Sequence, residues 1–402
     1  MNTFGRNFQI LNQKEIPLPL FKIERMKFSE LGLSKEIVIS TERASYSSPY
    51  PIQVQAIPAL IKGKDLLGIA PTGSGKTAAY ILPILQFLQK KPTSKNRSIP
   101  VLVLVPTREL AAQVAEVADN FSRFLSRKVK TIAVFGGVSI NPQMLKLFGT
   151  DILIATPGRL LDLLSQNAIQ LNQVEILVLD EMDKVLSMGF REEIDQVLAE
   201  LPAKRQNILF SATMDETLEE IIASLLKDPV KIEVEAETVA TDLIEQYAYR
   251  IDTEKKGPFL RYLVNSGDWT QILIFVSSIR TADNVVTKLN KNGVDAIAFH
   301  GDKSQGARTE ALAKFKSGKT RILVATDLAG RGIDIKFLPL VINYELPRSP
   351  KDYVHRIGRT GRAGSTGEAI SLITEEDLHH FKIIQKKMGK HVQLRSTDEF
   401  EF

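Results

Sequence analysis

One short segment, APTGSGKT, combines the residue types that hold a chain of phosphates. Gly73 and Gly75 let the backbone N–H groups turn inward around an anion. The apolar run Asp65–Ala70 precedes this turn and a helical pattern follows it, so the positive end of a helix dipole also faces the anion. Lys76 can then reach the β- and γ-phosphates, and the Thr77 hydroxyl can ligate Mg²⁺. This spacing predicts a nucleoside triphosphate site.

A second motif supplies the acids that such a site needs. The apolar run Ile176–Leu179 leads directly into Asp180, Glu181, Met182 and Asp183. Acids at the carboxyl end of a strand lie where open α/β sheets bind ligands. Asp180 is therefore a candidate Mg²⁺ ligand, and Glu181 is a candidate base for the attacking water. Alone, these acids could equally begin a helix, but beside a phosphate loop they indicate triphosphate hydrolysis.

The elements that must position these residues follow a repeated βα pattern. Short β-branched runs alternate with amphipathic stretches, and several runs are almost wholly apolar, as expected for parallel strands covered by helices on both faces. In the first half the candidate strands are Asp65–Ala70, Val101–Val105, Thr131–Phe135, Asp151–Ala155, Ile176–Leu179 and Asn207–Phe210. In the second half they are Gln271–Val276, Ala296–His300, Arg321–Ala325, Leu340–Tyr344 and Glu368–Ile373. The pattern predicts an α/β protein.

The chain length favours two domains. A chain of 402 residues exceeds what one hydrophobic core usually supports. The acidic stretch at 235–244 has no strong helical period, and we interpret it as a linker between a nucleotide-binding domain at 26–234 and a second domain at 245–390. We expect an irregular arm at 1–25 and a short tail at 391–402.

Composition narrows the class of protein. Hydrophobic residues make up 44% and charged residues 25%, which is typical of globular proteins. No apolar run approaches the roughly 18 residues of a membrane helix, and the N-terminus lacks the pattern of a secretory signal. The chain has no cysteine, which excludes disulfides and suits the cytoplasm. The net charge of +5 is compatible with a polyanionic partner without requiring one.

The order and spacing of many motifs resemble the DEAD-box branch of the superfamily 2 helicases, from about Phe28 to Gly364. The resemblance implies two tandem RecA-like domains, each a mostly parallel sheet with helices on both faces, and a compact, bacterial-type ATP-dependent RNA helicase. APTGSGKT matches as it stands, while Met182 replaces the Ala of the acidic motif. Tyr46–Gln53 is similar to the adenine-reading motif, with Phe28 as its upstream aromatic residue. The amide of Gln53 matches adenine N6 and N7.

The resemblance implies roles for further residues of the first half. Ser211 and Thr213 lie in a motif that couples hydrolysis to domain closure, and we expect a hydrogen bond from it to the acidic motif. Arginine side chains pair with phosphates, while backbone N–H groups and hydroxyls add neutral donors. The implied RNA contacts here are Pro106, Thr107, Arg108, Gly136, Gly137, Thr156, Pro157, Gly158 and Arg159.

The second half is similar to the family in the same way. Asp334 is placed to meet the ribose, and Arg359 and Arg362 would reach the γ-phosphate across the cleft. The implied RNA contacts here are Ser277, Gln305, Arg308 and Thr326. The implied catalytic set is Lys76, Asp180, Glu181, Ser211, Thr213, His355, Arg359 and Arg362. The implied nucleotide contacts are Phe28, Gln53, Thr72, Gly73, Ser74, Gly75, Lys76, Thr77, Gly332 and Asp334, with Thr77 and Asp180 as metal ligands.

The resemblance also implies a mechanism, with ATP and Mg²⁺ as cofactors. Neither domain holds both the base and the arginine fingers, so hydrolysis waits for closure, and ATP and RNA favour the closed form together. A strand bent over both domains cannot stay in a regular duplex, so closure separates a few base pairs. We expect a cytoplasmic monomer, with no membrane partner, that acts on single-stranded and short duplex RNA and on RNA–protein complexes with little sequence preference.

Three alternatives stay open at this point. An RNA clamp would use the same closed state without unwinding, and the sequence does not separate the two. A DNA translocase shares the two-domain core, but the Gln53 motif and the tripeptide at 211–213 argue against it. An inactive nucleotide-binding scaffold is suggested only by Met182, and the intact Lys76, Glu181 and Arg359 argue against it.

Overall fold

The computed structural model describes residues 26–71, 73–93, 96–234, 244–330, 335, 338–361 and 367–402. Within these ranges the chain forms two α/β lobes, each built on one sheet of parallel strands. Lobe one comprises 26–234 and lobe two comprises 244–402. The expected arm and most of the expected linker lie outside the described residues, as do Thr72, Gly332, Asp334 and Arg362.

Lobe one alternates strands and helices, and its sheet has the order β3-β4-β2-β5-β6-β1-β7. The strands are β1 (Leu66–Ile69), β2 (Val101–Leu104), β3 (Thr131–Val134), β4 (Ile152–Ala155), β5 (Ile176–Leu179), β6 (Gln206–Ser211) and β7 (Val230–Glu233). The helices are α1 (Lys35–Arg43), α2 (Pro51–Ile61), α3 (Lys76–Gln89), α4 (Arg108–Ser122), α5 (Asn141–Met144), α6 (Pro157–Ser165), α7 (Met182–Ser187), α8 (Arg191–Ala199) and α9 (Glu216–Leu225). The strands predicted for this half are confirmed, whereas β7 was not predicted.

Lobe two has the sheet order β10-β11-β9-β12-β13-β8-β14. The strands are β8 (Ile244–Arg250), β9 (Ile272–Val276), β10 (Ala296–Phe299), β11 (Ile322–Thr326), β12 (Leu340–Asn343), β13 (Gly367–Ile373) and β14 (Leu394–Ser396). The helices are α10 (Lys256–Ser266), α11 (Ile279–Lys291), α12 (Gln305–Lys316), α13 (Asp327–Gly330), α14 (Pro350–Ile357) and α15 (Leu378–Met388). The predicted strands are again confirmed, and β8 and β14 are additional.

The two sheets share one topology. Counted within each lobe, both have the strand order 3-4-2-5-6-1-7. The counterpart of β1 is β8, which begins at Ile244, the last residue of the segment read as a linker. The counterpart of β7 is β14, which pairs with β8 and lies in the segment expected to be a tail. Beyond β14, Phe400 packs on the rings of Tyr249 and Phe259.

The central strands are buried on both faces. In β2, Val101 and Val103 belong to one hydrophobic core and Leu102 and Leu104 to a second core across the sheet. Successive side chains of a strand point to opposite faces, so a strand between two helical layers must be apolar throughout. This is why VLVL forms a strand here. Among the described helices, none has both the length and the apolar character needed to cross a bilayer.

Candidate nucleotide and RNA sites

The sheet topology gathers the predicted site residues at the carboxyl edge of each sheet. Parallel strands end at one edge, so the loops that follow them lie side by side. Apart from Phe28 and Gln53, which precede β1, the predicted nucleotide and catalytic residues of lobe one follow β1, β5 and β6, which are neighbours in the sheet. Its predicted RNA residues follow β2, β3 and β4, which are also neighbours. In lobe two, Ser277, Gln305 and Thr326 lie at the ends of the equivalent strands β9, β10 and β11.

The phosphate loop has the backbone that an anion cradle needs. Gly73 and Gly75 both have φ of +90°, where a side chain is strained. The side-chain amide of Gln53 fixes this loop by donating to the Gly75 carbonyl at 3.0 Å and accepting from the Tyr50 N–H at 2.9 Å. Both ends of that amide are thus engaged within the chain, and Phe28 lies in the core of lobe one. Adenine recognition by Gln53 and Phe28 stays a prediction.

Lys76 and Asp180 are both buried beside the loop. The Lys76 ammonium donates to the Ala70 carbonyl oxygen at 2.9 Å. Oδ2 of Asp180 accepts a hydrogen bond of 2.9 Å from the Tyr80 hydroxyl, whereas Oδ1 has no hydrogen-bond partner among the residues that the structure describes. Burial raises the pKa of Asp180 to about 6, although the nearby Lys76 opposes the rise.

These observations fit a hard cation at Asp180. A buried carboxylate oxygen without a partner is costly unless a ligand satisfies it. Across the described ranges, no three His, Cys, Asp or Glu side chains form a metal-binding group. A cation here would therefore take most of its ligands from phosphates and water, as Mg²⁺ does at nucleotide sites.

The candidate base Glu181 has a strained backbone and a charged neighbour. Its φ is +54°, in the left-handed region that is uncommon for residues other than glycine. Oε2 of its buried carboxylate lies 2.8 Å from Nζ of Lys184. Sequence reasoning missed Lys184, although a spacing of three residues at a helix start could have indicated the pair. Lys184 therefore compensates the charge of Glu181 in this conformation.

The expected link between the two catalytic motifs is present. The Thr213 hydroxyl donates to Oδ2 of Asp183 at 3.2 Å, and the Ser211 hydroxyl donates to the Thr213 carbonyl oxygen at 2.7 Å. The hydrogen bond that we predicted from this tripeptide to the acidic motif is thus confirmed. It joins the segment after β6 to the start of α7.

The predicted RNA residues of lobe one lie together. The Arg108 guanidinium packs on Gly137, where an added Cβ would come within 2.1 Å of Nη1. Nη2 of Arg159 donates to the carbonyl oxygen of Val138, the next residue along, at 2.9 Å. The Thr107 hydroxyl caps the N-terminus of α4. Two arginines and exposed loop backbone therefore meet at one place, the combination that binds a phosphate backbone.

The predicted RNA residues of the two lobes are joined by Glu109. Its Oε1 lies 2.9 Å from Nη2 of Arg308 and accepts a hydrogen bond of 3.4 Å from the Gln305 amide. The Glu109 and Arg308 side chains are exposed by only 7% and 9%, so the ion pair is largely excluded from water. Burial lowers the pKa of Arg308, and the carboxylate opposes this change. Glu109 lies inside the segment 106–110 that resembles an RNA-contact motif, but sequence reasoning gave it no role of its own, since an acid in a first helical turn has a local explanation.

Arg356 anchors the segment that carries the predicted arginine finger. Its guanidinium makes two hydrogen bonds to the Asp327 carboxylate, of 2.6 and 2.7 Å, and a third to the Asn343 side chain. The Arg356 side chain is 2% exposed, and the hydrogen-bond partners named here belong to lobe two. His355 precedes it in α14 and Arg359 follows that helix. Arg356 lies inside the predicted arginine-finger motif at 355–362, but sequence reasoning gave it no role of its own.

Known families match both lobes. The DEAD/DEAH box helicase model covers residues 50–221, and the helicase conserved C-terminal domain model covers residues 255–364. ATP-dependent RNA helicase CshA of Listeria monocytogenes is 39% identical over 368 residues, which are 91% of this chain and 70% of that protein. The chain belongs to the DEAD-box ATP-dependent RNA helicase family. A DEAD-box helicase CshA of Geobacillus kaustophilus is 38% identical over 376 residues, which are 92% of this chain and 79% of that protein.

Solved DEAD-box structures have the same architecture. Saccharomyces cerevisiae Dbp5 bound to RNA and ADP BeF3 matches with a TM-score of 0.80 and 29% identity, over 93% of this chain and 96% of that one. A DEAD box protein from Methanococcus jannaschii matches with a TM-score of 0.52 and 33% identity, over 93% and 99% of the two chains. The two lobes are therefore tandem RecA-like domains. This DEAD-box helicase is an enzyme that couples ATP hydrolysis to RNA unwinding, which decides against a DNA translocase and an inactive scaffold.

Proposed function

We propose that this DEAD-box helicase separates short RNA duplexes locally, by closing its two lobes around ATP and one RNA strand. The observation that carries the proposal is the joint formed by Glu109 with Gln305 and Arg308, between the predicted RNA residues of the two lobes. A strand that follows a surface shared by two lobes departs from the A-form geometry of a duplex. Closure therefore separates a few base pairs in place, and the protein does not translocate along the strand.

In the proposed chemistry, each lobe supplies a part that the other lacks. Lys76 holds the β- and γ-phosphates, and Glu181 orients a water molecule and accepts its proton as the water oxygen attacks the γ-phosphorus. ADP leaves as its β-phosphate oxygen separates from the γ-phosphorus. Arg359 and Arg362 of lobe two supply positive charge to the transition state. Hydrolysis then depends on closure because neither lobe alone holds all of these groups.

The proposed cofactor is Mg²⁺, held by the Thr77 hydroxyl and the Asp180 carboxylate. When bound, it neutralises the charge that develops on the β- and γ-phosphates. The buried oxygen of Asp180 that has no hydrogen-bond partner among the described residues supports this assignment.

The proposed RNA contacts address the backbone of the strand. Arginines, hydroxyls and loop N–H groups recognise phosphates and 2′-hydroxyls, so we expect little sequence preference and a choice of RNA over DNA. The same contacts suit single-stranded RNA, short duplexes and RNA within RNA–protein complexes. Action as a monomer in the cytoplasm, without a membrane partner, stays a prediction from the sequence.

A strand-displacement assay tests the proposed function. We expect the protein to release the labelled strand of a short RNA duplex in the presence of ATP and Mg²⁺, and Lys76→Ala to release none. Glu181→Gln should bind RNA more tightly with ATP than without it and should hydrolyse no ATP, because the proton acceptor is lost while the groups that bind ATP and RNA are kept. RNA-stimulated ATP hydrolysis without any strand release would instead indicate a clamp.

A further inference from the structure

Tyr80 connects the two residues to which the Mg²⁺ site is assigned. It lies in α3, one turn beyond Thr77, and its side chain is completely buried against the ring of Phe210, with 5.8 Å between ring centroids. Its hydroxyl donates a hydrogen bond of 2.9 Å to Oδ2 of Asp180, which is 100 positions away in the sequence.

The hydroxyl of Tyr80 makes the two oxygens of Asp180 unequal. An aspartate side chain can rotate about its last bond and exchange its oxygens unless a neighbour holds one of them. Here Oδ2 accepts from Tyr80, and Oδ1 is the oxygen without a hydrogen-bond partner in the part of the chain that the structure describes. A buried phenol is costly without an acceptor, so the hydroxyl and the carboxylate stabilise one arrangement together.

We propose that Tyr80 is a positioning residue of the metal site: its hydroxyl holds one oxygen of Asp180 so that the other faces the cation that accompanies the nucleotide. This inference rests on the proposed function, because it takes Thr77 and Asp180 as the Mg²⁺ ligands. Hydrogen bonds that orient a metal ligand contribute roughly 10- to 100-fold to metal affinity. Tyr80 acts through Asp180 and does not touch the substrate.

The test is Tyr80→Phe in the full chain, which removes the hydroxyl and keeps the packed ring. A fluorescent ADP analogue is titrated into each protein in EDTA and in excess Mg²⁺, and the ratio of the two affinities measures the contribution of the metal. We expect the affinity in EDTA to be unchanged and the ratio to fall by roughly 10-fold. In RNA-stimulated ATPase assays, the Mg²⁺ concentration for half-maximal rate should rise by a similar factor, while kcat at saturating Mg²⁺ stays within about twofold.

Tyr353→Phe is the matched control. Tyr353 is also buried, and its hydroxyl interacts with Oγ of Ser371 at 3.1 Å in lobe two. The change removes the same chemical group from a similar environment, so it should leave the Mg²⁺ ratio at the wild-type value. Melting temperatures of both variants show whether either loses its fold.

A second background tests whether Tyr80 acts through Asp180. In Asp180→Asn protein, the added Tyr80→Phe change should have no further effect on the Mg²⁺ ratio. The inference is overturned if Tyr80→Phe leaves the Mg²⁺ ratio unchanged. It is also overturned if Tyr80→Phe lowers the ratio equally in the wild-type and Asp180→Asn backgrounds. If Mg²⁺ fails to strengthen ADP binding even in the wild-type protein, the proposed metal site itself is wrong, and the inference falls with it.

Discussion

Buried charge is concentrated in the phosphate site, where Asp180, Glu181, Lys76 and Lys184 are each exposed by 9% or less. Removing such groups from water is costly, and opposite charges recover only part of that cost. Glu181 has Lys184 as a close partner, whereas one oxygen of Asp180 has no hydrogen-bond partner among the described residues. The site is therefore arranged for a ligand at the expense of the stability of the ligand-free protein.

Replacing Asp180 by Asn should stabilise the nucleotide-free protein at pH 7.5, by up to about 3 kcal/mol, while abolishing ATP hydrolysis. Burial raises the pKa of Asp180 from 3.8 to about 6, so the folded state binds the proton more tightly than the unfolded state. The charged Asp180 carboxylate therefore destabilises the folded wild-type protein fully above pH 6. This destabilisation is lost as the pH falls from 6 towards 4. The advantage of Asp180→Asn should therefore shrink over that range.

Urea denaturation in EDTA at several pH values measures this difference. Asn keeps the shape of the side chain and can still accept a hydrogen bond from Tyr80, so packing is conserved. A difference in the free energy of unfolding that stays constant between pH 7.5 and pH 5 would contradict the assignment of the penalty to the Asp180 charge.

Most motifs of lobe one occupy the loop after one strand, and the order of strands in the sheet sorts these motifs by predicted task. The neighbours β5, β6 and β1 carry predicted nucleotide residues, and the neighbours β3, β4 and β2 carry predicted RNA residues. Such a loop must turn tightly to present its backbone. At the end of β3 this requirement falls on Gly137, which has φ of +75° and contacts the Arg108 guanidinium.

Gly137→Ala should weaken RNA binding by roughly 10-fold, because a methyl group is strained at this φ and displaces the Arg108 guanidinium. Gly136→Ala is the matched comparison, since a Cβ there meets no atom within 4 Å. We expect Gly136→Ala to lose much less affinity in a fluorescence anisotropy titration with single-stranded RNA. Equal losses in the two variants would show that the close contact with Arg108 does not matter.

At the scale of the whole molecule, a buried ion pair joins the lobes. Glu109 at the start of α4 contacts Arg308 and Gln305 in the first turn of α12. Breaking a buried pair leaves a charge without compensation, so this contact favours the conformation in which the lobes meet. Since Gln305 and Arg308 are also predicted to contact RNA, we expect the joint to couple lobe closure to RNA binding.

Arg308→Met should reduce the coupling between ATP and RNA by roughly 10-fold, because it removes a contact made only when the lobes meet. The coupling is the ratio of ATP half-saturation values measured without and with RNA. Asp283→Asn breaks the ion pair of Asp283 with Lys303 inside lobe two and should leave the ratio unchanged. If Glu109→Gln and Arg308→Met have independent, additive effects on the ratio, the two residues do not act as a pair.

The sequence alone determined the fold class, most strands of both sheets and the motifs at their ends. Apolar runs such as 101–104 predict buried strands because both faces of these strands must be covered. The edge strands β7 and β14 were missed for the complementary reason. Every residue of β14 is exposed, and β7 buries only Ile232, so neither has the apolar pattern of a strand between two helical layers.

Only the tertiary structure decided which side chains meet. Tyr80 and Asp180 lie 100 positions apart, and Glu109 and Gln305 lie 196 positions apart. Residue types at such distances do not indicate their partners, because contact depends on strand order and on how the lobes face each other. The hydrogen bond from the Gln53 amide to the Gly75 carbonyl oxygen, 22 positions away, has the same origin. Local chemistry thus predicted the parts of the site, and packing alone paired them.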